Sequence, residues 1–323
     1  FGFYLSPWDR NCELYGTDAY NDFYRAQLTE LLTNYGDVFH VWFDGACGEG
    51  PSGKKQVYDF ESYFELVRKY QPNATVFKDE GPDIRWCGNE SGSARAAEWA
   101  VVPWELCYFC EKQTEGKLFD GELKHIYNSD KDIGTLENIM YSSGLVFCPS
   151  EIDMSIRPGW FYHPEEEPHS LERLFNTYLR SVGGNTTFNL NIPPMPNGKF
   201  DQRDIVRLKE LGDKIRSSFA VDFCENAKVT RTSLGGYQCE YLVELDEEKD
   251  INFFELEEDI TQGQRVESFR ILRRKDGLWD KVYSNYTTIG NKRIIEEDVQ
   301  CDAFKIVVEA SRGEPIISKI AAY

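Results

Sequence analysis

The hydrophobic pattern of this 323-residue chain changes once, near residue 217, and this change limits the folds that the chain can adopt. Before it, short apolar runs alternate with segments whose apolar residues recur at helical spacing. After it, short runs of alternating polar and apolar residues follow one another without helical periodicity. The pattern predicts an α/β domain over residues 1–217 and an antiparallel β-sandwich over residues 218–323.

The first domain contains repeated β-α units. Strands are predicted at residues 3–5, 38–43, 75–77, 145–148 and 188–192, and helices at about 19–35, 59–70, 133–140, 171–179 and 201–215, with Ser170 as a cap. Repeated units of this kind imply a parallel sheet, and at this length a TIM-like (β/α) barrel is the leading architecture. In the second domain, strands are predicted in the segments that begin at residues 241, 251, 267 and 302.

The segment VFHVWFDGA, residues 38–46, ends a buried strand with an acid and a glycine. Asp44 is therefore expected where the strand leaves the core, and the carboxyl ends of barrel strands carry catalytic groups. An acid in this place is also typical of a helix cap or a turn. Trp42 lies two residues earlier, so alternation places it on the same side of the strand as Asp44.

A second carboxylate, Glu90, stands in the segment IRWCGNESG, residues 84–92. Cleavage of a glycosidic bond needs two carboxyl groups, one to attack or to activate water and one to protonate the leaving oxygen. Two successive β-α units allow Asp44 and Glu90 to converge at one rim of strand ends. Considered alone, a glutamate such as Glu90 is more often a solvated loop acid than a catalytic one.

A third segment, EIDMSIRPGWFYHP at residues 151–164, is rich in groups that bind sugars. An arginine such as Arg157 can donate to hydroxyls, and Trp160 can stack on a sugar ring. The alternative is a structural loop in which Arg157 pairs with a local acid.

Composition excludes some partners. A formal net charge of −19 leaves no basic stripe for nucleic acid and disfavours anionic membrane surfaces, and no segment has the length of a transmembrane helix. The 14% of aromatic residues fits a carbohydrate site and a large core equally well. The pair Cys107 and Cys110 has no second CxxC or nearby histidine, so neither a metal nor another cofactor is expected.

Five motifs occur in one order, namely FGFYLSPWDRN, VWFDGACGEG, IRWCGNESG, SIRPGWFYHP and SVGGNTTFNLNIPP. Together they resemble the α-L-fucosidases of glycoside hydrolase family 29, and TTIGNKRI and IAAY extend the resemblance to the end of the chain. The RWxGNE and SIRPGWFYH segments resemble the subgroup that prefers α-1,3/4-linked fucose.

The resemblance implies a retaining mechanism with Asp44 as nucleophile and Glu90 as acid/base. Retention implies carboxyl groups about 5–5.5 Å apart. Trp42 is inferred to help wall the fucose pocket, and Arg85, Trp86, Arg157 and Trp160 are further candidates for contacts with the sugar. The implied partner is a fucosylated oligosaccharide or glycoconjugate.

The histidines depart from the family's pattern. The family has histidine-rich motifs (HWG and HHDGF types) that grip the fucose hydroxyls, and His40, His125, His163 and His169 match none of them. Since the chain begins at Phe1 inside an apolar strand, we expect that first barrel strands carrying these motifs precede it. The barrel is then N-terminally incomplete, with exposed sheet edges and part of the sugar subsite absent.

Two alternatives to a retaining fucosidase stay open. The chain could be a non-catalytic fucose- or glycan-binding protein or an inactive fragment, or it could act on another deoxy- or galacto-configured sugar. The second domain could bind carbohydrate or only pack on the barrel, and packing is preferred because no ligand cluster is visible in it. The compartment stays unknown.

Overall fold

The structure is a computed structural model that describes residues 1–78, 81–103, 133–140, 142–285 and 287–323. Cys107, Cys110 and His125 lie outside the described residues. The chain forms two compact units. The first unit runs from Phe1 to Trp86 and includes Val146–Pro149, and the second comprises Cys87–Pro103, the described part of Gly121–Leu145, and Ser150–Tyr323.

Among the described elements, strands and helices are interspersed up to residue 218, and strands predominate after it. In chain order they are β1 (Gly2–Tyr4), α1 (Asp18–Asn34), β2 (His40–Trp42), α2 (Phe60–Tyr70), β3 (Thr75–Phe77), β4 (Arg85–Trp86), β5 (Val101–Pro103), α3 (Leu136–Ile139), β6 (Leu145–Phe147), β7 (Ser150–Ser155), α4 (Leu171–Ser181), β8 (Thr187–Asn191), α5 (Gln202–Ser218), β9 (Lys228–Gly235), β10 (Gln238–Glu258), a 3₁₀ turn (Ile260–Gln262), β11 (Val266–Lys275), β12 (Leu278–Asn285), β13 (Arg293–Ser311) and β14 (Ile317–Ala322).

The first unit is built on a parallel three-stranded sheet in the order β1-β2-β3. Phe3, Val41 and Val76 lie side by side across it and pack into one core with the apolar sides of α1 and α2. Because side chains alternate between the faces of a strand, Tyr4, Trp42 and Phe77 share the opposite face.

The helix predictions for this unit are confirmed to within one residue. The chain leaves α1 through Gly36, whose φ of +85° is the left-handed conformation that favours glycine. The strand predicted at residues 38–43 is shorter, His40–Trp42. Val38 is excluded from the ladder because its N–H donates to the side chain of Gln71, 3.1 Å away.

The second unit contains the parallel pair β7-β8, on which α4 and α5 pack. Ser170 caps α4 as expected and accepts from the Arg173 N–H at 3.2 Å, while Asp201 caps α5. The helix predicted at residues 133–140 is a single turn, α3. Leu136 and Met140 are exposed, so no buried apolar face supports a longer helix.

The six strands β9–β14 form one antiparallel sheet, called the C-terminal sheet below. Its order is β12-β11-β13-β10-β14, and β9 also pairs with β10. The runs predicted at 241 and 251 are two halves of β10, joined across a register shift between Glu244 and Lys249. Side chains from both halves, such as Val243 and Phe254, belong to one buried cluster, so the sheet bends around its own core.

The parallel strands with their helices place the part before Ser218 in the α/β class, and an antiparallel sheet follows it. In the described part of the chain, the helices are too short or too polar to cross a bilayer. The seven described cysteines are free thiols.

Candidate active site

Asp44 lies just beyond the carboxyl end of β2, and both of its carboxylate oxygens are engaged. Oδ2 accepts from the Tyr4 hydroxyl at 2.6 Å, and Oδ1 accepts from the Ala46 N–H at 2.7 Å. The second bond is the turn-forming contact that the sequence left open as an alternative. One oxygen therefore shapes the turn while a phenol on the neighbouring strand holds the other.

Tyr4 is a site residue that the sequence analysis did not name. Burial and its hydrogen bond to the Asp44 carboxylate raise the pKa of Tyr4 to about 12. The phenol therefore keeps its proton at neutral pH and donates it to Asp44. The signal was present in the sequence, because Tyr4 ends the first short strand and could have been paired with the strand before Asp44.

An aromatic wall stands on the same face of the sheet as Asp44. Trp42 stacks on Phe77 with ring centroids 4.3 Å apart and planes 11° apart, and Tyr4 lies 5.3 Å from Trp42 on its other side. Trp42 is half-buried and Tyr4 is 53% exposed, so part of the wall is open to solvent. Such a surface can contact the apolar C–H groups of a sugar ring.

His40 lies on this face too, two residues before Trp42. Its Nδ1 is 2.8 Å from the Thr75 hydroxyl, and burial lowers the pKa of His40. The imidazole is therefore neutral at pH 7.

Glu90 is exposed on a tight loop that follows β4. Gly88 and Gly92 flank it with φ of +94° and +80°, and the Asn89 side chain accepts from the Ser91 N–H and donates to the Ser93 carbonyl. Glu90 is therefore exposed to solvent on a loop that is closed by its own hydrogen bonds. Asp44 belongs to the first unit and Glu90 to the second, so their pairing stays a prediction.

Arg85 and Trp86 form β4 in the first unit. Arg85 is 2% exposed, and its Nε donates to the Cys148 carbonyl at 3.1 Å. Trp86 is half-buried. At least one donor of Arg85 is thus committed to the backbone, whereas Trp86 keeps accessible ring surface.

Arg157 is paired with a local acid, which is the alternative that the sequence left open. Its Nε is 3.0 Å from both carboxylate oxygens of Asp204, and both side chains are fully buried. Its Nη1 donates to the carbonyls of His163 and Glu166. The buried guanidinium therefore fixes the backbone of the segment 157–166 through these two carbonyls.

Trp160 lies on that segment and is 37% exposed. Its carbonyl accepts from the Asn191 side chain at 3.1 Å, and the same Nδ2 lies 3.0 Å from Ser155 Oγ. The backbone under Trp160 is thus anchored to the ends of β7 and β8. The neighbouring Phe161 is 79% exposed.

A polar face on β7 and β8 was only partly foreseen. Glu151, Asp153 and Ser155 are buried and lie beside Thr187, Asn189 and Asn191 in the parallel register. Asn189 Nδ2 is 3.3 Å from Glu151 Oε1. Glu151 and Asp153 belong to the third segment singled out from the sequence, and the alternation N-L-N in β8 was the signal for the two asparagines.

Among the described residues, no three or more histidine, cysteine or acidic side chains lie together so that they could hold a metal ion. Aromatic faces, carboxylates and amides are instead the groups that bind neutral sugars and transfer protons to them.

The chain is similar to known fucosidases. Residues 2–217 match the family described as Alpha-L-fucosidase. Alpha-L-fucosidase 1 of Arabidopsis thaliana is 36% identical, in a match that covers 100% of this chain and 65% of that protein. The chain therefore spans about two thirds of the length of this curated relative.

Solved structures agree with this similarity. A putative alpha-L-fucosidase from Bacteroides ovatus is 42% identical with a TM-score of 0.89, and the match covers 100% of this chain and 55% of that one. A glycoside hydrolase family 29 fucosidase of Ruminococcus gnavus, solved in complex with fucose, is 27% identical with a TM-score of 0.80, and 100% of this chain and 71% of that one are covered.

Proposed function

The chain belongs to the alpha-L-fucosidase family, and we propose that the protein is an exo-acting, retaining α-L-fucosidase. Its substrate is terminal α-1,3/4-linked L-fucose on an oligosaccharide or glycoconjugate. The resemblance of RWCGNE and SIRPGWFYH to one subgroup supports this linkage. The observation that carries the proposal is the Asp44 carboxylate, held by the Tyr4 hydroxyl at the end of a parallel strand beside an open aromatic wall.

Asp44 is the nucleophile in this proposal. It attacks the anomeric carbon, the bond to the leaving oxygen breaks, and a covalent fucosyl-enzyme forms. The hydrogen bond from Tyr4 holds one oxygen of Asp44 and so limits its rotation. A carboxylate fixed in this way starts closer to the geometry of attack than a freely rotating one.

Glu90 is the acid/base. It protonates the departing oxygen in the first step and then removes a proton from the water that releases fucose. A retaining reaction requires the two carboxyl groups about 5–5.5 Å apart. The exposed position of Glu90 on a short, internally bonded loop supports a role in which it meets both substrate and water.

Trp42, Trp86 and Trp160 provide accessible ring surface for the sugars. Arg85 and Arg157 contribute indirectly in this proposal, because their guanidinium groups are buried against Cys148 and Asp204. Arg85 holds the strand before the Glu90 loop, and Arg157 holds the segment that presents Trp160.

The proposed architecture is a TIM-like (β/α) barrel over residues 1–217 followed by a β-sandwich over 218–323. The family match ends at residue 217 and α5 ends at Ser218, which supports this boundary. The alternatives are a glycan-binding protein without catalysis and an enzyme for another deoxy- or galacto-configured sugar.

The first experiment replaces the nucleophile, as Asp44→Gly in the full-length protein. Hydrolysis of an aryl α-L-fucoside is expected to fall by at least about 1,000-fold, because no covalent intermediate can form. The matched control is Asp37→Gly, since Asp37 is an exposed acid that precedes the same strand. Unchanged turnover by the Asp44 variant would refute the assignment.

The second experiment separates the alternatives. The wild-type protein is given aryl α-L-fucoside and aryl β-D-galactoside, and fucose binding is measured by calorimetry. Hydrolysis of the fucoside alone is expected. Fucose binding without hydrolysis indicates a binding protein, and preferential hydrolysis of the galactoside indicates a different sugar.

A further inference from the structure

A buried ion pair, Arg95 with Glu98, follows the loop that carries Glu90. Arg95 Nη1 is 3.5 Å from Glu98 Oε1, and the two side chains are 10% and 0% exposed. The other oxygen, Oε2, accepts from the Arg95 N–H at 3.2 Å. One carboxylate therefore binds both the side chain and the backbone of the same arginine, which fixes the turn that follows the loop.

The guanidinium of Arg95 contacts the base of the Glu90 loop. Its Nη1 is 3.9 Å from the Cys87 sulfur, and a Cβ added to Gly88 would lie 3.4 Å from its Nη2. Cys87 also lies 3.5 Å from the Ser93 carbonyl, which closes the loop at its two ends. Movement of Arg95 would therefore change the position of the backbone two residues before Glu90.

Loops between the strands of the C-terminal sheet hold the same segment by an amide clamp. Gln264, which is 8% exposed, donates to the Glu98 carbonyl at 3.2 Å and accepts from the Ala100 N–H at 2.9 Å. Asn185 donates to the same Glu98 carbonyl at 2.9 Å. Thr288 fixes the Gln264 amide at 2.7 Å.

Two further contacts from loops of the same sheet reinforce the clamp. The Thr287 hydroxyl donates to the Ala96 carbonyl. The Arg312 guanidinium lies 3.4 Å from the ring centroid of Trp99, a residue that is 2% exposed. The segment from Ala96 to Ala100 thus has backbone and side-chain contacts with the loops of the sheet along its length.

We infer that Glu98, Arg95 and Gln264 are positioning residues for the acid/base Glu90, and that the C-terminal sheet serves the reaction by holding the Glu90 loop through the loops between its strands. The inference rests on the proposed function, because it gives these residues a task only if Glu90 transfers the proton. The sheet is then a support for the catalytic loop, and this role requires no carbohydrate site of its own.

Leaving-group dependence tests this inference in the full-length protein. When a fucosylated oligosaccharide is cleaved, the acceptor sugar leaves as an alcohol and needs a proton, whereas 2,4-dinitrophenolate leaves from its fucoside without protonation. Glu98→Gln and Gln264→Ala are expected to lower kcat/KM for the oligosaccharide by about 10-fold or more, and kcat/KM for dinitrophenyl fucoside by less than about 3-fold. Glu90→Ala is the reference variant, because loss of the proton donor is expected to lower kcat/KM for the oligosaccharide far more than kcat/KM for dinitrophenyl fucoside.

Gln238→Ala is the matched control for the clamp. Gln238 also donates its side-chain amide to a backbone carbonyl of the sheet, that of Glu309 at 2.7 Å, but it does not touch the segment 95–100. This control is expected to retain both activities. Thermal melting of each variant accompanies the kinetics, and Gln264→Ala decides the outcome if Glu98→Gln does not fold.

Equal losses on both substrates would overturn the inference, since a general structural defect lowers the amount of active enzyme and not the leaving-group preference. Retention of full activity on the oligosaccharide by folded variants would overturn it as well. Failure of the proposed function is distinct from both results, because then the wild-type protein itself releases no fucose from either substrate.

Discussion

The contact between Tyr4 and Asp44 joins two neighbouring strands at the candidate nucleophile. A phenol whose pKa is raised to about 12 donates at 2.6 Å to a carboxylate that also closes its own turn. Hydrogen bonds to a charged group contribute more than neutral ones, about 1.5–3 kcal/mol. At the scale of single residues, the position of Asp44 is thus set both by its own turn and by a residue on the paired strand.

Replacing Tyr4 by phenylalanine tests this contact. Tyr4→Phe keeps the ring against Trp42 and removes only the donor, so kcat/KM for an aryl fucoside is expected to fall by about 10- to 100-fold. Tyr237→Phe, at an exposed turn, is the control and is expected to leave the rate unchanged. Wild-type activity in Tyr4→Phe would show that the phenol does not help to place the nucleophile.

The segment 157–166 shows how an element without regular structure is held rigidly. Arg157 reaches back to Asp204 on α5, and Asn191 on β8 holds the Trp160 carbonyl. Buried charges of this kind are costly unless they are paired, so both members depend on each other. The exposed rings of Trp160 and Phe161 stand on a backbone that cannot shift easily.

The buried pair predicts a large loss of stability from one substitution. Asp204→Ala removes the fully buried partner of Arg157 and leaves only Asp201, whose Oδ2 lies 3.4 Å from Nη2, so the free energy of unfolding is expected to fall by about 3 kcal/mol. Asp213→Ala, on the same helix, removes an acid whose partners Lys209 and Arg216 are more than 70% exposed, so at most about 1 kcal/mol is expected. Urea unfolding measures both, and similar losses would contradict the prediction.

Trp160 gives a prediction on substrate binding. Trp160→Ala removes a large ring surface from an anchored backbone, so the KM for a fucosylated oligosaccharide is expected to rise by about 5- to 50-fold with a small change in kcat. Trp279→Ala, an equally exposed tryptophan on β12, is the control. An unchanged KM would mean that Trp160 does not meet the sugar.

At the scale of the whole molecule, charge limits the possible partners. The net charge of −19 comes from 55 acidic and 36 basic residues, and many of the basic ones are paired, such as Arg203 with Asp201 and Arg274 with Asp302. Little positive charge is then available to release counterions from a polyanion. A neutral glycan avoids this repulsion.

Binding to nucleic acid is therefore expected to be undetectable. Fluorescence anisotropy of a labelled DNA duplex in about 50 mM salt is expected to stay constant up to about 100 μM protein, since non-specific binders show dissociation constants of about 1–100 μM even at physiological salt. A basic protein of similar mass serves as the positive control. Saturable binding that weakens with salt would contradict the prediction.

Much of the candidate site could be predicted from local sequence. The strand ending at Asp44, the face shared by Asp44 and Trp42, and the caps Ser170 and Asp201 follow from side-chain periodicity and from hydrogen bonds within a few residues. The change from βα units to strands near residue 217 follows from the same patterns. These features depend on interactions within short segments of chain, so they can be predicted from the order of neighbouring residues.

Other features required the tertiary structure because their partners are distant in sequence. Tyr4 and Asp44 are separated by 40 residues, Arg157 and Asp204 by 47, and Gln264 and Glu98 by 166. The sequence by itself determined the element pattern and the family resemblance, and it predicted the two carboxylates. Only the fold decided which distant groups contact Asp44 and the Glu90 loop, because burial and hydrogen-bond geometry are properties of segments that meet in space.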